Sequence, residues 1–364
     1  MKVIMSGVDD VGKGGMWTVV ENYLQNSDFC EKTQLLYMPT ASAGSKARRI
    51  VIFLKGLLRI RKALKSGQYD IVHLHLSERG SLTRKRIIQD MAHKAGCKTI
   101  LHMHGADFED WYRSCAPGEQ QHIRDVISAA NKVLILGEYW RQFIGSLMTD
   151  QNRLEVLYNA VPVPKASSFS TDSKDIMFLG ALIERKGIFD LIRAYAGIKD
   201  KLPAGCKLVL CGSADQEAMD AAHALATKER VDDVIEWKGW ITPEARNAVM
   251  DKAAVNVLPS YREGLPMTIL ETMAGGIPNI TTNVAAIPEA IEDNVNGVLI
   301  APGDAVGLAA ALLNLLTDDE TRQRYSQVGL TIMRARFSLD AHIDHLLDIY
   351  AAMCVGEKSP PNDN

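Results

Sequence analysis

Strand-like apolar runs alternate with helix-length segments along almost the whole chain, and no other feature limits its possible folds as tightly. In the first half the runs are KVIMSG, QLLYMP, DIVHLHL, CKTILHMHG, KVLILG and RLEVLYNAV. The segments between them are long enough for crossover helices, so the strands are expected to be parallel and covered on both faces. VPVPKASSFSTDSK, residues 161–174, breaks the pattern with proline, serine and charge and reads as an interdomain linker. The alternation restarts with DIMFLG, CKLVLCG, VIEWKGW, AAVNVLPS, NITTN and NGVLIAPGD. The expected fold class is α/β, with two Rossmann-like doubly wound domains, residues 1–165 and 166–336, facing a central cleft. SLDAHIDHLLDIYAAM adds an amphipathic helix within residues 337–354, and 355–364 reads as a disordered tail.

The 364 residues suffice for two cores, and 47% hydrophobic with 23% charged residues is ordinary for a soluble globular chain. No apolar run reaches the ~18 residues of a spanning helix, because Lys55 interrupts the best candidate. MKVIMSGVDD passes directly from a strand pattern to a turn, so no secretory leader is expected. Six cysteines without a CxxC pair point to a reducing cytoplasm. Residues 1–165 hold 23 Lys and Arg against 16 Asp and Glu, a balance of +7, whereas the remainder holds 18 against 28, or −10. Opposite polarity favours two domains with different partners.

The richest chemistry lies in PSYREGLPMTILETMAGGIP, residues 259–278. Pro266 suits a helix start and Gly275-Gly276 a stop, so a helix is expected from Met267 to Ala274. Glu263 then stands at the helix mouth and Glu271 about 7 Å further along its axis, with the first-turn amides between them as an anion site. A ligand with hydroxyls at both ends and phosphates in the middle, such as a nucleotide sugar, suits that layout. A capped surface helix that carries two glutamates is the plainer reading. Other motifs also follow strands. KVIMSG runs into VDDVGKGGMWTVVENYL, where Gly7, Gly12 and Lys13 approach a nucleoside-triphosphate loop, but Gly14 occupies the Ser/Thr position; no dinucleotide fingerprint fits either. Gly14-Gly15 either makes a bare flexible turn or opens a helix, Met16 to Leu24, whose N-terminus attracts anions. HLHL (His73, His75) and HMHG (His102, His104) put alternate side chains on one strand face. No third ligand of suitable spacing supports a metal, so His73 and His102 read as sheet packing.

Taken together these segments resemble the retaining glycosyltransferases of GT-B fold, family 4 (glycosyl transferases group 1). Residues 259–278 resemble that family's EGxP…E signature, and Gly14-Gly15 its glycine loop. His104-Gly105-Ala106-Asp107 is similar to its HG-x-D turn. FLGALIERKGIFDLIRAY resembles G-R-L-x-x-x-K-G, with Lys186, Gly180 and Gly187 in place and Ala181 where the family has arginine. The resemblance implies an acceptor-side first domain, a donor-side second domain and a last helix that returns to the first. It implies a retaining transfer of a sugar from a UDP- or GDP-linked donor to a glycan, lipid-linked or other glycoconjugate acceptor, in polysaccharide biosynthesis, without metal or other cofactor. Implied catalytic residues are His104, Lys186 and Glu263. Implied donor-binding residues are Gly14, Gly15, Arg185, Gly264, Leu265, Pro266, Met267, Thr268 and Glu271. Glu263 would take the sugar hydroxyls and Glu271 the ribose. Arg185 either replaces the charge missing at Ala181 or points to solvent. A sugar-nucleotide epimerase of the same fold and a catalytically silent binding subunit are the alternatives.

From Lys32 to Tyr69 nine Lys or Arg occur without an acidic residue. ARRIVIFLKGLLRIRKALKSG reads as a helix with Ile50, Phe53, Leu54, Leu57, Ile60 and Leu64 on one face and Arg48, Lys55, Arg59 and Lys62 opposite. A solvated basic face and contact of residues 46–65 with an anionic membrane, on the inner face of the plasma membrane, both fit. Nucleic acid does not, because interleaved exposed aromatics are missing.

Overall fold

The computed structural model describes residues 1–11 and 14–355. Gly12 and Lys13, which carried the triphosphate-loop comparison, and the expected tail residues 356–364 lie outside them. The chain divides into two compact units, residues 1–159 with 339–364, and residues 160–338.

In the first unit, β1 (Val3–Ser6) leads to helix α1 (Gly15–Gln25), and β2 (Leu36–Tyr37) to α2 (Lys46–Leu64). β3 (Ile71–Leu76) is followed by α3 (Gly80–Lys94), then β4 (Lys98–Met103), β5 (Lys132–Ile135) and β6 (Leu154–Val156). All pairings are parallel, in the order β2-β1-β3-β4-β5-β6. Every residue of IVHLHL in β3 is buried, as a central parallel strand covered on both faces requires.

The second unit begins with β7 (Asp175–Leu179) and α4 (Ile188–Ile198), then β8 (Leu208–Cys211) and β9 (Ile235–Gly239). Helix α5 (Pro243–Met250) leads to β10 (Ala253–Leu258), and α6 (Met267–Ala274) to β11 (Asn279–Thr282) and β12 (Gly297–Ile300). The parallel order is β12-β11-β10-β7-β8-β9, so the chain reverses direction across the sheet between β7 and β10. That is the doubly wound dinucleotide-type order, in which ligands bind beyond the strand ends at the reversal. Each of the twelve apolar runs contains one of the twelve strands found among the described residues.

Two expectations change. Residues 161–174 are attached to the second unit: Ser167 Oγ and the Ser168 amide both donate to the Gly275 carbonyl at 2.8 Å, and Ser173 Oγ donates to the Asp251 carbonyl. Polar composition marked a linker, but these serines satisfy carbonyls at helix ends. The last helix, α7 (Leu339–Val355), extends into the expected tail. It packs in the first unit, where the Tyr350 hydroxyl lies 2.6 Å from His73 Nδ1 and the His342 ring contacts Tyr23 and the Tyr158 carbonyl.

Helix α2 also turns differently from its hydrophobic pattern. Its buried residues are Gly56, Ile60 and Leu64, whereas Ile50 and Leu54 are exposed. A Cβ on Gly56 would stand 2.4 Å from the Pro39 carbonyl oxygen, so a backbone approach that only glycine allows selects the buried face. Arg48, expected on the basic face, pairs with Asp9 at 3.2 Å. No helix among the described residues is long and apolar enough to cross a membrane.

Candidate functional site

In the second unit, the loops leaving β7 and β10 at the reversal close on each other. Gly187 ends the β7 loop at φ +74°, and a Cβ there would stand 2.0 Å from the Pro259 carbonyl oxygen. The missing side chain lets the Tyr261 amide donate to the Arg185 carbonyl at 2.8 Å, while Arg185 Nη1 donates to the Arg262 carbonyl at 2.7 Å. Arg185 is thus turned onto the glutamate loop. Lys186 Nζ lies 2.5 Å from Glu263 Oε1, and Ser260 Oγ donates to the same oxygen at 2.8 Å. Glu263 is 6% exposed, so its charge is held by these two donors in a largely dry setting.

Helix α6 then starts at Met267, after Pro266, as the sequence indicated. Thr268 Oγ1 donates to the Leu179 carbonyl, which ties the helix N-terminus to the end of β7. The Gly264 carbonyl accepts from the Ala286 amide. Leu265 and Met267 side chains are buried in the core, so only their backbone is placed for a ligand. A helix N-terminus presents amides without intrahelical partners and a partial positive charge. The Lys186 ammonium is held by Glu263, four residues before the first residue of this helix.

One turn into the helix, Glu271 Oε1 lies 2.6 Å from Arg246 Nη1. Burial raises the Glu271 pKa, and the guanidinium opposes that rise. Arg246 Nε is buried without a hydrogen-bond partner, so the arginine's donors are incompletely satisfied. Arg246, on α5, and Ser260 are site residues that the sequence reading missed. Nothing in PEARNAVM marks one arginine as the partner of a glutamate 25 positions later.

In the first unit, Gly15 opens α1 and the Gly14 carbonyl accepts from the Thr18 amide. His104 follows β4, its amide donating to the Leu76 carbonyl at 2.7 Å, and its Nε2 lies 2.9 Å from His75 Nδ1. Parallel register sets His75 beside His102, which puts the strand histidines His73, His75 and His102 on one sheet face, with the His104 ring 4.3 Å from that of His102. One ring nitrogen each of His73, His75 and His102 can be chosen within 4.8 Å of the others, so β4 supplies the third candidate ligand that H-x-H spacing did not reveal. The rings are nonetheless engaged with one another: His73 stacks on His75, and His73 Nε2 lies 3.2 Å from His102 Nδ1. Among the described residues no carboxylate is grouped with these three rings, and His75 Nε2 and His102 Nε2 are buried without a hydrogen-bond partner. Desolvation, reinforced by neighbouring cationic forms, pushes the pKa of His73 and of His104 down to about 3. Burial takes His342 to about 4, and holds His75 and His102 well below the usual histidine range.

A buried lysine also escaped the sequence reading. Lys85 Nζ, 1% exposed, donates to the Ser6 carbonyl, Ser6 Oγ and Thr40 Oγ1 at 2.8–3.2 Å. Desolvation pushes its pKa down to about 7.

Residues 163–330, spanning both of these loops and α6, match the family model described as "Glycosyl transferases group 1". A Klebsiella pneumoniae protein described as an uncharacterized 41.2 kDa protein in the cps region is 24% identical over 80% of this chain and 84% of its own. The lipopolysaccharide core biosynthesis glycosyltransferase LpsE of Rhizobium meliloti is 32% identical over 50% of this chain, which spans about half of that relative's length, 51%. Among solved structures, Anabaena HepE in complex with UDP-glucose superposes with a TM-score of 0.78 at 15% identity, covering 97% of this chain and 100% of its own.

Proposed function

The chain is a GT-B protein whose second unit carries a group 1 glycosyl transferase domain, and from that premise we propose that it transfers a sugar, with retained configuration, from a nucleotide diphosphate sugar to a glycan, lipid-linked or other glycoconjugate acceptor. The observation that carries the proposal is the Lys186–Glu263 pair at the N-terminus of α6, inside the segment that matches the family. It sets a cation for a leaving diphosphate against a carboxylate for sugar hydroxyls. The name of a relative in lipopolysaccharide core biosynthesis supports a role in polysaccharide assembly.

In the proposed reaction the bond between the anomeric carbon and the diphosphate oxygen breaks. A bond to an acceptor oxygen forms on the same face, and the acceptor proton passes to the departing phosphate. Lys186, Arg185 and the amides of Gly264 to Thr268 meet the growing negative charge, so no divalent metal is required. Pro266 has no amide and serves by fixing the helix start. Glu271 holds the ribose hydroxyls and exchanges part of its contact with Arg246 to do so. His104 and the Gly14-Gly15 turn are assigned to the transferred sugar or the acceptor. Residues 46–65 bring the enzyme to an anionic membrane surface on the cytoplasmic side.

UDP is the first donor nucleotide to test, since a solved relative in fold holds UDP-glucose. At a hundredfold excess over its dissociation constant, the right nucleotide adds ~2.7 kcal/mol of stability, readable as a rise in melting temperature. UDP, GDP and ADP are to be compared; no shift with any of them would remove the donor site. Glu271→Gln keeps the size of the side chain and is expected to weaken nucleotide binding roughly tenfold or more, the effect of losing one charged hydrogen bond. Titration calorimetry reads that value, and unchanged affinity would displace Glu271 from the ribose.

A further inference from the structure

We infer that helix α2 is an in-plane membrane anchor that inserts aliphatic side chains between lipids, in addition to drawing on the charge of their headgroups. The inference rests on the membrane contact of the proposed function and specifies how that contact is made.

Three faces of α2 are distinguishable. Gly56, Ile60 and Leu64 are buried and fix the helix rotation. A second face carries Ile50, Val51, Leu54 and Leu58, which are 58%, 46%, 50% and 66% exposed. Residues 50, 54 and 58 recur every four positions, so they form one line roughly 12 Å long, with Val51 beside it. Scattered exposed aliphatics are ordinary, but a continuous line on a rigid helix is not. The third face carries Lys55, Arg59 and Lys62, with Arg61 and Lys65 bordering the line; all five are exposed. Lys55, Arg59, Arg61 and Lys62 make no ion pair among the described residues, and no acidic residue occurs between Lys32 and Tyr69.

An apolar line flanked by cations matches a layered partner, with anionic groups above hydrocarbon, and a lipid interface has that order over the length of a helix. Nucleic acid would use the cations but leave the aliphatic line in water, because bases are met by aromatic faces. The buried face makes the anchor pre-formed, so no ordering of chain opposes insertion. Apolar side chains would sink about 5–10 Å while the cations stay with the phosphates.

The test is flotation of the full chain with vesicles of phosphatidylcholine alone, or of phosphatidylcholine mixed with phosphatidylglycerol. Wild type should bind the anionic vesicles and stay partly bound at about 0.5 M salt, where surface attraction is screened within a few Å. Replacing Ile50, Leu54 and Leu58 together by serine should lower partitioning about a hundredfold and abolish the salt-resistant fraction. These side chains are exposed, so the melting temperature should not fall. Replacing Lys55, Arg59 and Lys62 by glutamine should instead remove the preference for the anionic vesicles. Equal binding by wild type and the serine variant overturns the inference, as does complete release by salt. Failure to bind either vesicle overturns it too, and a dimer lost in the serine variant would then assign the line to a second copy of the chain. UDP stabilisation measured on the same variants separates the readings: it should persist in all of them, and its absence from wild type indicts the donor site, not the anchor.

Discussion

Lowering the pH from 7 to 5 at constant ionic strength is expected to remove most of the stability of the first unit. His73 and His342 are buried, with pKa values pushed down to about 3 and about 4. In the unfolded chain a histidine titrates near 6.5. Between these limits the unfolded state binds protons that the folded state refuses, so stability is present above pH 6.5 and is lost as pH falls toward 4. At pH 5 the loss is about 2 kcal/mol for each of these two histidines, or about 4 kcal/mol together. His75, His102 and His104 act with the same sign, since burial depresses each of them. Whole domains have only about 5–15 kcal/mol to lose. Lys85 adds a second window: its folded pKa of about 7 lies below the ~10.4 of a free lysine, so its contribution grows as pH rises from 7 to about 10. Urea midpoints followed by tryptophan fluorescence at pH 5, 6 and 7 measure the slope. His342→Gln should reduce it by one proton, about 1.4 kcal/mol per pH unit, whatever it costs at pH 7. Equal stability at pH 5 and 7 would show that these histidines accept protons while folded.

Those five histidines also show where sequence stops short. H-x-H spacing said that His73 and His75 share a strand face, but only the β3–β4 register brings His102 onto that face, and register is a tertiary property. The strands themselves were legible because a buried parallel strand must be apolar almost throughout. Helix α6 was legible to its ends because proline and glycine act locally. Helix α2 was not: its hydrophobic pattern offered one apolar face that included Ile50 and Leu54, and the contact of Gly56 with the Pro39 carbonyl turned those two outward. Within the candidate site, Lys186, Glu263 and Glu271 carried a motif, whereas Arg246 and Ser260 hold those groups in place and answer to no fixed spacing. Arg185 lay between these cases. Its position beside Lys186 was visible, but its turn toward the Arg262 carbonyl depended on Gly187.

Lys186→Met is expected to cost more stability than Glu263→Gln, and the double variant is expected to restore stability without restoring activity. The two groups are 2.5 Å apart, with side chains 17% and 7% exposed. Removing the ammonium leaves the more deeply buried carboxylate with Ser260 Oγ as donor, and stranding a buried charge costs about 3–5 kcal/mol. Removing the carboxylate strands a lysine that can swing its flexible stem toward water, so about 1 kcal/mol is expected. In the double variant neither charge remains, and the loss should shrink to about 1 kcal/mol, giving a coupling energy of about 3–5 kcal/mol. Activity should follow a different rule. If Lys186 stabilises the leaving diphosphate and Glu263 holds the donor sugar, each single variant loses about a hundredfold or more in turnover, and the double variant stays low. UDP binding separates the two roles further, since Lys186→Met should weaken it and Glu263→Gln should leave it nearly unchanged. Chemical denaturation, calorimetry with UDP and donor turnover on the same four proteins make the measurement. Recovery of activity together with stability in the double variant would make the pair a structural clasp between the β7 and β10 loops, and would move the proposed chemistry elsewhere.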